Sequence, residues 1–278
     1  MLDDVIAYLL CPVCGGRPSL AEGTVRCERG HSFDVARQGY VSLLTGSAAP
    51  ATADTPSMVA ARADFLDAGH YAPLADRLAG LCAAASVVAD AGAGTGYYLA
   101  RALGVSGGTA GQAVGIALDV SKHALKRAAR AHPRIGAVVA DVWRPLPVRD
   151  GCVDVLLNVF APRNAAEFAR ILRPGGSLVV VTPAEDHLHP LVERLGLLSV
   201  DEEKERRLEE TLGGRFAKAV QDVEEITLTL GHKAVGAVVG MGPSAWHTGT
   251  AIADKIRELP DPVRVRASFR ITRWVVHK

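Results

Sequence analysis

A polar turn near the middle of the chain combines an acid with three glycines at alternate positions. The segment is Asp90-Ala91-Gly92-Ala93-Gly94-Thr95-Gly96, and it follows the apolar run 87–89. The run predicts a buried parallel strand, and the glycines predict a tight turn against whose backbone a ligand can lie closely. The pattern from Tyr97 to Leu103 predicts a helix, so the turn ends at free helical N–H groups.

The spacing of the glycines separates three kinds of ligand site. A dinucleotide-binding turn has glycines at its first, third and sixth positions, but the sixth position from Gly92 is Tyr97. A phosphate-binding loop has Gly-Lys followed by Ser or Thr, which this chain lacks. The remaining pattern resembles the cofactor turn of doubly wound methyltransferases that use S-adenosylmethionine (SAM). An ordinary strand-turn-helix of an α/β domain is the alternative.

A second group of candidate ligands lies near the N-terminus. Cys11 and Cys14 are separated by two residues, and Cys27 and His31 follow after a gap of twelve, separated by three. This spacing predicts a zinc site with three cysteines and one histidine around one tetrahedral ion. Four protein ligands leave no open position, so we expect a structural metal rather than a catalytic one. Scattered buried cysteines with a surface histidine are the alternative.

The metal site predicts a small module that depends on its ion, because about 40 residues bury too little surface to fold alone. We expect this zinc-binding module over residues 1–45. Residues 46–57 are small and rich in turn formers, which predicts a linker, and residues 58–278 then form the second domain. From residue 87 onward predicted strands alternate with helices. This pattern indicates an α/β fold, a doubly wound parallel sheet with helices on both faces.

Polar residues end five consecutive predicted strands of this sheet. Ligands bind beyond the carboxyl ends of parallel strands. An ionised Asp119 only accepts hydrogen bonds, so it suits both hydroxyls of a ribose. Asp141 suits an adenine amino group, with Val142 near the ring, and Asp90 suits loop amides or an ammonium. Each acid alone is also typical of a helix cap or a loop. The five strand-end residues are Asp90, Asp119, Asp141, Asn158 and Thr182.

Composition excludes several classes of protein. The chain has 278 residues, 49% of them hydrophobic, and a net charge of +1, so no global field attracts nucleic acid. No apolar run reaches the ~20 residues of a membrane helix, and the first residues lack the basic region of a signal peptide. Five cysteines with metal-like spacing favour a reducing compartment, so we expect a cytoplasmic protein.

The zinc pattern, the linker and the methyltransferase pattern, in this order, resemble the bacterial 23S rRNA guanine-N1 methyltransferases over nearly the whole chain. Within that family the chain is more similar to the macrolide-resistance branch, the tylosin and mycinamicin type. The stretches that carry the resemblance are 11–14, 27–34, 39–41, Ala61-Arg62, 65–71, 118–122, 141–143, 158–164, 173–176, Thr182-Pro183, His187-Leu188 and 243–246.

The resemblance implies methylation of N1 of a guanine in a 23S rRNA hairpin loop near the peptide exit tunnel, which would hinder macrolide binding. It implies SAM as cofactor, a structural Zn²⁺, RNA recognition by the zinc module, no membrane partner and a homodimer. It also implies that Tyr71, the Gly94-Thr95 pair and His187 contact SAM. A methyltransferase acting on a small molecule and a non-catalytic RNA-binding protein that binds zinc and SAM are the alternatives.

Guanine N1 carries a proton at neutral pH, so its methylation requires aligned reacting atoms and a group that accepts the proton. We expect the loop that begins at Asn158 to hold the base, with the Asn158 side chain reading the guanine edge. Candidates for the proton acceptor are Asp186, His187 and His247, and their residue types alone do not decide among them.

Two basic surfaces are candidates for RNA contact, although a solvated helix face explains the first equally well. The first lies on the helix predicted over Lys122–Ala131, which Ser121 caps, and on the residues that follow. The second lies on a predicted last strand whose apolar residues alternate inward from Val263 to Ile271, with Ser268 and Thr272 outward. The basic residues are Lys122, Lys126, Arg127, Arg130 and Arg134 on the first surface, and Arg264, Arg266 and Arg270 on the second.

Overall fold

The computed structural model describes residues 1–46, 53–105, 113–198, 203–242 and 251–277. In these ranges the chain forms a three-stranded sheet near the N-terminus and an eight-stranded sheet. The N-terminal elements are α1 (Leu2–Val5), the 3-10 turn Ile6–Tyr8, β1 (Pro18–Ala21), β2 (Thr24–Cys27), β3 (Ser32–Asp34) and β4 (Tyr40–Ser42).

The remainder of the chain alternates helices and strands up to residue 183 and then adds two long strands. Its elements are α2 (Pro56–Asp67), α3 (Ala72–Cys82), β5 (Val87–Ala91), α4 (Tyr97–Val105), β6 (Val114–Asp119), α5 (Lys122–Ala131), β7 (Ile135–Val139), β8 (Val153–Val159), α6 (Ala165–Ile171), β9 (Leu172–Pro183), α7 (Leu191–Leu195), α8 (Glu203–Gly213), β10 (Phe216–Leu230), α9 (His232–Gly240), α10 (Ala251–Arg257) and β11 (Val263–Val276).

The large sheet has the order β10-β11-β9-β8-β5-β6-β7-β4. Neighbours from β9 to β4 pair parallel, whereas β11 and β10 pair antiparallel at one edge. Buried apolar side chains form two clusters that include helices as well as strands. This arrangement confirms the predicted doubly wound α/β fold.

The strand order reverses beside β5. The chain runs outward from β5 through β6 to β7, and it then returns to β8 on the other side of β5. The turns that follow β5 and β8 are therefore far apart in the sequence but adjacent in the structure. In open α/β sheets this switch point is where ligands bind.

The N-terminal part is attached to the large sheet by several contacts. β4 pairs parallel with β7, and the Leu10 N–H donates to the Pro147 carbonyl at 3.0 Å. Val5 fills the space above Gly136, where an added Cβ would lie 2.0 Å from Val5 Cγ2. Residues 40–42, which belong to the segment predicted as the zinc module, thus extend the sheet of the second domain.

Local signals in the sequence account for the helix starts near the site. The Thr55 hydroxyl accepts from the Met58 N–H at the start of α2, with Pro56 as the first helical residue. The Ser121 hydroxyl accepts from the Ala124 N–H, which confirms the predicted cap of α5. Asn164 caps α6 in the same way.

Two predictions about strands were wrong. The alternation over residues 226–230 predicts a short strand, but these residues are the end of the 15-residue β10, whose first half is mostly exposed and therefore lacks an apolar alternation. Ser268 and Thr272 of β11 were expected to face solvent, but they are 2% and 3% exposed. Thr272 pairs with Val180 of β9 and lies two residues before Trp274, so its side chain shares the sheet face that packs into the second apolar cluster.

β7 also ends at Val139, two residues before Asp141, so Asp141 belongs to the following turn. No helix in the described ranges is long and apolar enough to span a membrane.

Candidate cofactor site and metal centre

The glycine turn after β5 packs directly against the loop after β8. Gly92, Gly94 and Gly96 have φ angles of 85°, 53° and 78°, which L side chains rarely adopt. An added Cβ at Gly92 would lie only 2.3 Å from the Cβ of Ala161, so the two loops meet at van der Waals distance. At Gly96 an added Cβ would lie 2.9 Å from the Ala128 backbone of α5. Glycine is therefore required at positions 92 and 96 for both conformation and space, and it is favoured at position 94 by conformation.

Asp119 organises the turn. Its Oδ2 accepts from the Gly94 N–H and its Oδ1 accepts from the Ser121 N–H, both at 2.8 Å. Burial raises the pKa of this carboxyl, and the two backbone hydrogen bonds oppose that shift. Each carboxylate oxygen has a second lone pair, so the predicted contact with a ribose diol remains compatible with these bonds.

Asp90 does not hold the turn amides, contrary to one of its two expected roles. The Gly92 and Ala93 N–H groups donate to the Leu118 carbonyl, and the Gly96 N–H donates to the Ala93 carbonyl. Asp90 is 1% exposed and its Oδ1 is buried without a hydrogen-bond partner among the described residues. Burial, and then the charge of Asp119, raise the pKa of Asp90 to about 8. An unpartnered buried oxygen beneath the turn can accept a hydrogen bond from an ammonium even when the carboxyl is protonated, which suits the other expected role of Asp90.

Tyr71 and His187 lie far apart in the sequence, but the structure brings them into one aromatic cluster. Their ring centroids are 6.4 Å apart, and both rings contact Phe269, at 4.8 Å and 4.9 Å. Phe160 joins the cluster at 6.3 Å from His187. The Tyr71 hydroxyl is buried without a partner in the described part of the chain.

His187 is held as a neutral imidazole. Its Nδ1 donates to the Ser268 carbonyl at 2.9 Å, which leaves Nε2 as the acceptor atom. Burial lowers the pKa of His187 to about 4, although the hydrogen bond to Ser268 opposes this shift. At neutral pH the ring is therefore uncharged.

Asn158 is fully buried and joins the two loops. Its Nδ2 donates to the Ala91 and Pro162 carbonyls, both at 2.9 Å, and its Oδ1 has no partner among the described residues. Asp186 lies at the surface instead, where its carboxylate accepts from Arg266 at 3.0 Å. His247 lies outside the described residues.

Asp141 and Val142 lie at the zinc-module side of the site. The Asp119 carbonyl accepts from the Ala140 N–H at 3.0 Å, so the ends of β6 and β7 are adjacent. Asp141 accepts from the Trp143 N–H and pairs with Arg144, and the Val142 carbonyl accepts from Asn164. Asp141 lines a cavity of about 210 Å³ together with residues that follow β4.

The four candidate metal ligands form one cluster. Their donor atoms all lie within 4.8 Å of one another, and Sγ of Cys14 and Sγ of Cys27 are 3.7 Å apart. His31 Nδ1 lies 3.6 Å from Cys11 Sγ and 3.3 Å from Cys27 Sγ. Ligands of a tetrahedral zinc at ~2.0–2.3 Å are about 3.3–3.8 Å apart, so the donor set fits Zn²⁺ in both chemistry and size.

Two family models match the chain. The N-terminal model of RlmA, a zinc ribbon, matches residues 9–46, and a methyltransferase-domain model matches residues 88–176. A 23S rRNA (guanine(748)-N(1))-methyltransferase of Streptomyces fradiae is 51% identical over 98% of each chain. The chain belongs to the family of 23S rRNA (guanine-N1)-methyltransferases.

Two further members of this family are similar over most of their length. A putative 23S rRNA (guanine-N(1)-)-methyltransferase of Micromonospora griseorubida is 48% identical over 99% of each chain. The putative enzyme YxjB of Bacillus subtilis (strain 168) is 32% identical over 85% of this chain and 86% of its own. As a member of this family the protein uses SAM as its methyl donor and contains a structural zinc.

Sequence reasoning assigned no individual role to two arginines that the structure places at the site. Arg62 of α2 lies against the glycine turn, with Nη1 3.4 Å from where a Gly94 Cβ would be. Arg163 is half-buried in the loop after β8, its Nε has no partner in the described ranges, and burial lowers its pKa. Spacing gave no signal for Arg62, because it reaches the turn through the packing of α2. Arg163 lies in the loop that the sequence predicted to hold the base, but its burial was not predictable from that position.

Proposed function

We propose that this protein transfers a methyl group from SAM to N1 of a guanine in a hairpin loop of 23S rRNA near the peptide exit tunnel. The observation that carries this proposal is the identity of 51%, over 98% of each chain, with an enzyme named as a methyltransferase of N1 of guanine 748 in 23S rRNA. The site adds support, because the glycine turn and the loop 158–163 meet at the switch point of the sheet.

The proposed cofactor contacts divide among three neighbouring strand ends. We assign the ribose to Asp119, the adenine to Asp141 and Val142, and the ammonium to Asp90. The turn residues Gly92, Gly94, Thr95 and Gly96 would lie beneath the ligand, with Tyr71 and His187 on the methionine side. The bound cofactor supplies an activated methyl group on a sulfonium.

The loop after β8 is proposed to hold the target base. Phe160 is 44% exposed and has a φ of 54°, an unfavourable conformation for a bulky residue and one that often marks a functional loop. Its ring projects from the aromatic cluster, so it provides a stacking surface for an extruded guanine. Asn158 braces this loop to β5 through its two carbonyl contacts.

His187 is the described candidate best suited to accept the N1 proton. Its ring is neutral, its Nδ1 is fixed by Ser268, and its Nε2 is therefore available as an acceptor. A pKa of about 4 makes it a weak base, so its role would be to orient and relay the proton rather than to retain it. Asp186 is engaged by Arg266, and His247 stays a prediction.

RNA contact is proposed on the side of the site that faces the zinc module. Trp143 is 66% exposed beside Asp141, and an exposed indole provides a stacking surface for an unpaired base. The basic residues of α5 begin one turn from the Asp119 loop, at Lys122, and they offer a track for phosphates.

The remaining parts of the proposal concern the cellular setting. Methylation beside the exit tunnel would hinder macrolide binding and confer resistance. The enzyme would act in the cytoplasm, where ribosomes and SAM are found, and it would act as a homodimer.

The proposal is tested by incubating the purified protein with methyl-labelled SAM and either 23S rRNA or small-molecule acceptors. We expect label in the rRNA, and we expect Asp119→Ala to abolish most of it. Label only in a small acceptor would favour an antibiotic-modifying enzyme. SAM binding without transfer to any acceptor would favour a non-catalytic RNA-binding protein.

A further inference from the structure

An ion pair covers the cofactor turn. The Arg62 guanidinium, on α2, pairs through Nη1 with the carboxylate of Asp54, and its Nη2 donates to the Met241 carbonyl at 2.9 Å. Both side chains are largely buried, with exposures of 26% and 21%. Asp54 belongs to the segment 46–57 that the sequence predicts as a linker, so a residue outside the methyltransferase pattern reaches into its site.

This pair lies in the space above the predicted ribose and methionine contacts. Nη1 of Arg62 is the atom that a Cβ on Gly94 would meet, at 3.4 Å. The Asp54 carbonyl accepts from the Ser121 hydroxyl at 3.0 Å, and Ser121 is also bonded to Asp119. Asp54 and Arg62 are close enough to Asp119 to shift its pKa in opposite directions.

The charges indicate which group of SAM this position suits. The methionine end of SAM carries a carboxylate and an ammonium, and the unpartnered oxygen of Asp90 provides an acceptor for the ammonium on the buried side of the turn. The carboxylate needs a cation, and Arg62 is the guanidinium that contacts the turn. A guanidinium binds carboxylates through charge-assisted hydrogen bonds.

We propose that Arg62 exchanges partners on cofactor binding, holding Asp54 in the free protein and the α-carboxylate of SAM in the complex. Exchange is required because Asp54, Asp119 and a third carboxylate around one guanidinium would repel one another. Asp54 can leave without unfolding α2, since the helix is capped by the next residue, Thr55, through its own hydroxyl. Asp54 is therefore an internal competitor that lowers the affinity for SAM.

The proposal depends on the proposed function only through the identity of the cofactor. It is tested by calorimetric titration with two probes, S-adenosylhomocysteine and its decarboxylated analogue, which keeps the ammonium and lacks only the carboxylate. Arg62→Gln should weaken the first probe about tenfold to a hundredfold, as expected for one charge-assisted contact, and leave the second nearly unchanged. Arg62→Lys should retain part of the preference.

Asp54→Asn should change the affinity in the opposite direction from Arg62→Gln. It therefore distinguishes an exchange of partners by Arg62 from direct binding of the cofactor by Asp54. Removing the competitor should tighten S-adenosylhomocysteine several-fold and leave the decarboxylated analogue unchanged. Arg77→Gln, which breaks the exposed pair with Asp222, is the matched control and should change neither probe.

Three results would overturn the proposal. Equal weakening of both probes by Arg62→Gln would mean that Arg62 only supports the fold, and thermal unfolding of each variant shows this directly. Weaker binding of both probes by Asp54→Asn would mean that Asp54 itself binds the ammonium. Failure of the unaltered protein to bind S-adenosylhomocysteine would instead refute the SAM-dependent function, and the proposal with it.

Discussion

The zinc cluster and the cofactor site are both groups of polar side chains, but the chain assembles them in different ways. The four zinc ligands come from two short segments, and each segment places two donors by local spacing. The cofactor site draws on β5, β6, β8, the helix α2 and the chain after β9. The zinc site is therefore fixed by local geometry, whereas the candidate cofactor site depends on tertiary packing and has an internal ion pair beside its glycine turn.

The largest expected effect comes from the zinc side of this comparison. Cys14→Ser, or removal of the metal by a chelator, should unfold residues 9–46, because structural zinc contributes on the order of 10 kcal/mol to small metal-dependent modules. Amide hydrogen exchange should show loss of protection in β1–β3 and little change in β5 and β6. Cys152→Ser, which lies outside the cluster, is the control. Unchanged protection after metal removal would show that the module does not depend on its ion.

On the cofactor side, Asp119→Ala should weaken SAM binding by about 2–3 kcal/mol, or about thirtyfold to 150-fold. It removes both the proposed ribose contact and the bond that holds the Gly94 amide. Isothermal titration measures the loss, and Asp76→Ala, in an exposed pair with Arg101, is the control. Equal affinities for the two variants would refute the ribose assignment.

Gly92→Ala tests whether the close contact between the turn after β5 and the loop after β8 requires glycine at position 92. The new Cβ would lie 2.3 Å from the Cβ of Ala161, so we expect about 1–3 kcal/mol more destabilisation than for Gly151→Ala. Gly151 is the matched control because it also has a positive φ, of 60°, but an added Cβ there meets nothing within 4 Å. Chemical unfolding measures both.

The double variant Gly92→Ala with Ala161→Gly should recover most of the extra loss, since it removes the collision and leaves only the backbone strain. Additive losses would show that the contact between the loops does not explain the need for glycine at position 92.

The smallest expected effect is on the pH dependence of the free energy of unfolding. Because the pKa of Asp90 is raised to about 8 in the fold, the folded state holds a proton that an unfolded aspartate, with a pKa of about 3.9, has lost. The free energy of unfolding should therefore fall as pH rises between these values, by at most about 1.4 kcal/mol per unit.

Asp90→Asn should remove this part of the slope, measured by chemical unfolding between about pH 6.5 and 7.5. The groups that interact electrostatically with Asp90 are Asp119, Cys82 and Tyr98, and all three remain in the variant. Identical slopes for the two proteins would mean that Asp90 is ionised in the folded protein.

The difference between local and tertiary assembly also explains which parts of the fold and the site could be predicted from the sequence. The Cys and His spacing, the glycine turn and the acids at the strand ends are local patterns, and they led to the metal cluster, the fold and the family. The partner of Asp119 within the turn, the unpartnered oxygen of Asp90 and the Arg62–Asp54 pair depend on how distant segments pack. The length of β10 was missed for another reason, since an exposed edge strand needs no apolar alternation.

The central claim is tested most directly by mapping methylated nucleotides in 23S rRNA from cells with and without this protein. We predict one N1-methylguanine in a hairpin loop beside the peptide exit tunnel, present with the unaltered protein and absent with Asp119→Ala. An rRNA whose methylation pattern is identical in the presence and absence of the protein would contradict the account.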